Sequence, residues 1–131
     1  MRSKGLDALL IIDMADITRD PNLLFLSRHS RDAALIVLNL GERILFPLDT
    51  SLAKKRAVVD SIADMRAINN KWTQAVGEFF KERFPKKKPV VGFTNNISKT
   101  LCQERSIFSY IEIHEDVDEI ASFLAVLRGT Q

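Results

Sequence analysis

Cysteine is almost missing from this chain of 131 residues: Cys102 stands alone. A lone cysteine rules out an intramolecular disulfide and any multi-thiolate metal site, and it suits a reducing, cytoplasmic setting. Long apolar runs are missing too. Asp7 and Asp13 bracket a run of only five, Ala8 to Ile12, too short for a signal-peptide core. It is also far below the roughly 18 residues of a membrane span, so a soluble chain is expected. Charge of one sign is scarce, and a net +2 does not by itself call for nucleic acid. No P-loop, GxGxxG or GxSxG motif occurs.

What remains is an ordinary globular composition, sized for one domain. Its most informative stretch is Asn22 to Asp49. There an apolar segment leads through a polar knot, Ser27-Arg28-His29-Ser30-Arg31-Asp32, into two apolar runs joined by Asn39-Leu40-Gly41-Glu42. Two strands closed by a short glycine-containing connection form a hairpin, over Ala33–Leu38 and Arg43–Leu48.

Around the hairpin the chain alternates. Ala8–Ile12 reads as a strand buried on both faces. Pro21 suits the first turn of a helix capped by Asp20, with Leu23, Leu24 and Leu26 turned inward. Asp49-Thr50-Ser51 offers caps for a helix from about Ser51 to Asp64, with Leu52, Val59, Ile62 and Ala63 on one stripe. Met65–Ile68 reads as a brief strand. Trp72, Val76, Phe79, Phe80 and Phe84 recur at i, i+4, i+7, i+8 and i+12, a helical period. Val90–Phe93 is a buried strand, a helix runs from Asn95 or Asn96 to about Ser109, and Tyr110–Ile113 is the last strand. Asp116 or Asp118 caps a final helix, Val117–Leu127. This order predicts an α/β three-layer sandwich whose mixed sheet combines an N-terminal β-hairpin with parallel strands.

Several groups are candidates for chemistry. Asp13 and Asp49 follow predicted strands, with Asp16 near the first, where open α/β sheets place ligands. A phosphoacceptor receiver or a metal-dependent nuclease would use such acids. The hairpin breaks the receiver order, however, and both residues suit turns and helix caps. His114-Glu115-Asp116-Val117-Asp118 approaches HExxH but ends in aspartate, and its acids fit the first turn of a helix. Lys86-Lys87-Lys88, between prolines, fits a solvated loop better than a phosphate site. Cys102 and Phe108 fit the apolar face of their helix. The knot itself remains open: Arg28 and Arg31 suit a carboxylate held by paired hydrogen bonds, and His29 suits proton shuttling. A Ser-His-acid triad fails there, because adjacent loop residues do not point at one another. An exposed polar loop before the hairpin is the competing reading.

Taken in order, several segments resemble the N-terminal domain of the creatinase/prolidase/aminopeptidase P family, the "pita-bread" Xaa-Pro metallopeptidases. Gly5 to Ile11 is similar to that family's first strand. Leu24-Phe25-Leu26-Ser27 is similar to its Tyr-Leu-Thr segment, and Lys88 to Phe93 to its late V-G-F strand. Phe123 to Arg128 resembles its LR helix. Departures occur at Arg28-His29, where the family has Gly-Phe, and at Asp49-Thr50-Ser51-Leu52, where it has an acidic-x-Arg-Tyr pattern.

The resemblance implies a single domain over residues 1–131 with the ribonuclease-H-like motif of these N-terminal domains. It implies a non-catalytic domain without a cofactor of its own, and a separate C-terminal catalytic domain holding two divalent metal ions. It further implies a homodimer in which Arg28, His29 and Arg31 line the substrate entrance of the partner subunit. Peptide substrate and the chain's own catalytic domain are the expected partners, with no nucleic acid and no membrane. The end at Leu127-Arg128-Gly129-Thr130-Gln131 fits a piece of a longer protein. The alternative is a stand-alone α/β module that binds a small ligand or serves in assembly.

Overall fold

In the computed structural model the six residues Ala8–Asp13 form strand β1, every one of them buried. The structure describes residues 6–14, 18–29, 32–63, 72–105, 111–114 and 116–129. Alternate side chains of β1 enter two separate cores, as the two-residue period of a strand demands. Ala8, Leu10 and Ile12 join one apolar cluster, and Leu9 and Ile11 join another. The strand must therefore lie inside a sheet covered on both faces.

The remaining elements supply that cover. They are α1 (Pro21–Ser27), β2 (Ala33–Leu38), β3 (Arg43–Pro47), α2 (Thr50–Arg56), β4 (Ser61–Ile62), α3 (Trp72–Arg83), β5 (Val90–Phe93), α4 (Asn96–Arg105), β6 (Glu112–Ile113) and α5 (Val117–Gly129). One six-stranded sheet has the order β4-β3-β2-β1-β5-β6. β1 runs antiparallel to β2, and β2 antiparallel to β3. The pairs β1–β5, β3–β4 and β5–β6 are parallel. The first face carries α3 through Val76 and Phe80. The second carries α1 through Leu23 and Leu26, α2 through Ala53, and α5 through Ile120 and Leu127. The result is the expected three-layer α/β sandwich with a mixed sheet.

Local chemistry explains where elements start and stop. Asp20 caps α1 by accepting the Asn22 N–H at 3.0 Å, with Pro21 in the first turn. Asp49 caps α2 through the Leu52 N–H, and Asn95 serves α4 through the Ser98 N–H. The β2–β3 hairpin closes on Gly41 at φ +101°, a conformation that glycine adopts without Cβ strain. Gly92 serves a different purpose: a Cβ there would meet Leu6 Cδ2 at 2.7 Å and Ile120 Cγ1 at 2.9 Å. Its bare backbone lets α5 lie close on β5. No helix among the described residues is long and apolar enough to cross a membrane.

Three expectations change. The helix expected to run to about Asp64 ends at Arg56, and Ser61–Ile62 pairs with Ile44–Leu45 of β3 instead. The Val59 and Ile62 spacing fits a helical stripe, but β-branched residues beside an open strand gain more from pairing. Leu24, expected inward, points outward, because a seven-residue helix buries only one narrow face. The last strand is shorter than expected, Glu112–Ile113. The Met65–Ile68 strand and residues 106–110 lie outside the described residues, as do the side chains of Cys102 and Phe108.

Candidate functional site

The parallel strands β1, β3, β5 and β6 all end on the same side of the sheet, and the polar side chains gather there. Asp13, at the end of β1, is almost wholly buried and accepts from Arg19 Nη1 at 2.7 Å. Arg19 also reaches Asp32 at 3.5 Å, joining the end of β1 to the start of β2. These contacts, the hydrogen bond to Asp13 above all, raise the pKa of Arg19. Beside this clamp, Asp20 accepts from the Thr94 hydroxyl and from Asn95 Nδ2, the latter at 3.0 Å. The cap of α1 is thereby tied to the end of β5, across the boundary between β1 and β5 where the connections diverge.

The polar knot lies along the second face, between α1 and β2. Ser27 Oγ donates to the Leu23 carbonyl at 2.6 Å and accepts the His29 N–H at 3.1 Å. Arg28 caps α1 in the left-handed conformation, φ 66° and ψ 7°, its N–H donating to the Leu24 carbonyl at 2.8 Å. Glycine is the usual residue there, since an L side chain is strained. Asp32, at φ 59°, is the second residue of this kind. Its carbonyl accepts the Leu48 N–H at 3.0 Å, and the Ser27 carbonyl accepts the Val58 N–H at 2.7 Å.

The expected site residues therefore separate. Arg28 is exposed. His29 is 1 % exposed in this domain. Arg31 lies outside the described residues. Arg19 was not singled out from the sequence. The only hint was an arginine shortly after a strand-terminal aspartate, a pattern too common to be read as a clamp.

Of the other candidates, Asp16 lies outside the described residues. Asp49 is a helix cap, and Asp13 is held by Arg19. Among the described residues, one group could offer three metal-ligand atoms: His114, Asp116 and Glu119, within 4.8 Å of one another. Those atoms already serve the start of α5. Asp116 Oδ1 accepts the N–H groups of Asp118 and Glu119 at 3.0 and 3.2 Å, and His114 Nε2 meets Glu119 Oε1 at 3.1 Å. Asp118, which stands where HExxH has its second histidine, does not pair with His114. Lys86, Lys87 and Lys88 are all exposed. A groove of about 290 Å³ opens between α4 and α5 above β5 and β6, with Phe93, Ile120 and Leu124 as apolar walls and Thr94, Asn95 and His114 at its rim.

No protein-family model and no curated protein sequence matches the chain. A solved structure does: an Xaa-Pro aminopeptidase from Streptococcus pyogenes superposes with a TM-score of 0.62 at 20 % identity, over 93 % of this chain and 84 % of that one. The chain shares the fold of that protein, an α/β sandwich built on a mixed six-stranded sheet.

Proposed function

We propose that the chain is a non-catalytic N-terminal domain of an Xaa-Pro dipeptidase- or aminopeptidase-like metallopeptidase, contributing to dimerisation and to control of substrate access. The observation that carries this reading is the fold shared with an Xaa-Pro aminopeptidase over nearly the whole chain. The three ligand atoms that the described His114, Asp116 and Glu119 could offer fall short of a two-metal set of two Asp, one His and two Glu. In this reading, hydrolysis and its two metal ions belong to a separate catalytic domain of a cytoplasmic homodimer.

Arg28, His29 and Arg31 are proposed to line the partner's substrate entrance, with the exposed Arg28 holding a short peptide's terminal carboxylate. Steady-state kinetics of the full-length dimer test the assignment. Arg28→Ala raises KM for short Xaa-Pro substrates by about tenfold, the loss of one charge-assisted contact, and leaves kcat close to wild type. Unchanged KM and kcat would sink it.

A second reading, a stand-alone α/β module that binds a small ligand or serves in assembly, draws on the groove between α4 and α5. Sequence beyond Gln131 separates the two. Downstream Asp, Asp, His, Glu and Glu ligands favour the first, and a native terminus near Gln131 favours the second.

A further inference from the structure

Three side chains converge where β6 gives way to α5. His114 follows β6, Asp116 precedes α5, and Glu119 lies in the first turn of that helix. One ligand atom from each lies within 4.8 Å of the others. His114 Nε2 and Glu119 Oε1 already stand 3.1 Å apart. Two atoms bound to one tetrahedral zinc ion stand roughly 3–3.5 Å apart, given zinc bonds of about 2.0–2.2 Å. The backbone holds each residue in place. The His114 N–H donates to the Val91 carbonyl at 2.9 Å, and Asp116 Oδ1 accepts the N–H groups of Asp118 and Glu119. That capping leaves Asp116 its second oxygen, Oδ2, for a cation.

Donor chemistry selects the ion. Two carboxylates offset both charges of a divalent metal, against only about half a unit of opposing charge from the start of α5. Magnesium and calcium take oxygen ligands, whereas imidazole suits zinc. Three protein ligands leave a tetrahedral zinc ion one position for water. An independent feature provides the room. His114 lies at the rim of the groove of about 290 Å³ between α4 and α5, which Val117 and Ile120 line from the first turn of α5. A plain ion pair of His114 with Glu119 accounts for their 3.1 Å contact, but gives no role to Asp116 Oδ2 or to the adjoining cavity.

We infer that His114, Asp116 and Glu119 form a mononuclear zinc site at the mouth of this groove, with water as the fourth ligand. The inference goes beyond the peptidase reading, whose two metal ions belong to a separate domain, and it revises the expectation of a domain without a cofactor of its own. It does not rest on that reading, because metal held elsewhere in a longer protein cancels between wild type and variant.

The test is zinc bound per chain of the full-length protein at equilibrium dialysis against micromolar zinc sulfate, measured by inductively coupled plasma mass spectrometry. Wild type is expected to bind one zinc ion per chain more than Asp116→Asn. Asparagine caps a helix as well as aspartate does, so this variant removes the metal ligand and keeps the cap. His114→Gln and Glu119→Gln are expected to lose the same ion. Competition with a chromophoric zinc chelator should show their affinity lowered by at least about a hundredfold, the upper end of what losing an outer partner alone costs. Equal zinc in wild type and all three variants, or displacement of the ion by excess magnesium chloride, overturns the site. If circular dichroism shows Asp116→Asn to be unfolded, Glu119→Gln, which leaves the capping carboxylate in place, gives the same readout.

Discussion

Arg28 carries opposing demands. Its left-handed backbone favours glycine, yet its side chain is an exposed cation at the end of α1. Relief of Cβ strain, less the added freedom of glycine in the unfolded chain, makes Arg28→Gly stabilising by about 0.5–1 kcal/mol. Urea unfolding measures this, and a loss of stability would show that the guanidinium contributes to the fold. Gly92 is the opposite case. Gly92→Ala pushes a methyl group into Leu6 and Ile120, and overpacking of this kind costs about 1–3 kcal/mol. A melting temperature unchanged from wild type would mean that α5 shifts freely on β5. At this scale the sequence was only partly legible. Arg28 stands out by charge and position, but its exposure and the burial of neighbouring His29 depend on how α1 ends.

The order of helices and strands was legible apart from β4, whose Ser61–Ile62 falls in a stretch read as helix, because most core-facing elements show their own period. Trp72, Val76 and Phe80 mark α3, the buried run marks β1, and Gly41 marks the hairpin. Boundaries were legible where a cap is encoded locally, as at Asp20 and Asp49. They were misread where a distant partner decides, as at Ser61–Ile62, whose pairing with β3 cuts α2 short. Asp20 shows both sides of this. Its capping of α1 follows from Asp20-Pro21, whereas its bonds to Thr94 and Asn95 join residues 74 and 75 positions away. Asp20→Ala removes both functions at once. The expected cost is about 2–3 kcal/mol, above the 0.5–2 kcal/mol of a cap alone. A loss equal to that of Asp49→Ala, which removes only a cap, would show the link to β5 to be energetically silent.

In the whole molecule, β1 and β2 are the two middle strands of the six, each with a paired neighbour on both sides and a core on each face. Native-state hydrogen exchange should therefore be slowest for the amides of Leu10, Ile12, Leu35 and Val37. It should be much faster in α2 and β4, which lie at one margin of the sheet. Uniform protection across the sheet would contradict this gradient. The three-layer arrangement was legible because β1 is apolar at every position to Ile12, so both of its faces had to be covered. The groove between α4 and α5 was not, since it depends on how two helices diverge above β5 and β6.

The central place of β1 also bears on the order in which the protein is made. β1 finds β2 and β3 within the first fifty residues or so, and a local meander of that kind forms quickly. Its other side waits for β5, whose Val90 N–H meets Asp7 Oδ2 across 83 positions of chain. Throughout that interval of synthesis, one flank of a strand that is apolar from Ala8 to Ile12 presents open backbone donors and acceptors to any neighbouring nascent chain. The same strand that anchors the finished sheet is thus the segment most in need of shielding while the protein is being translated.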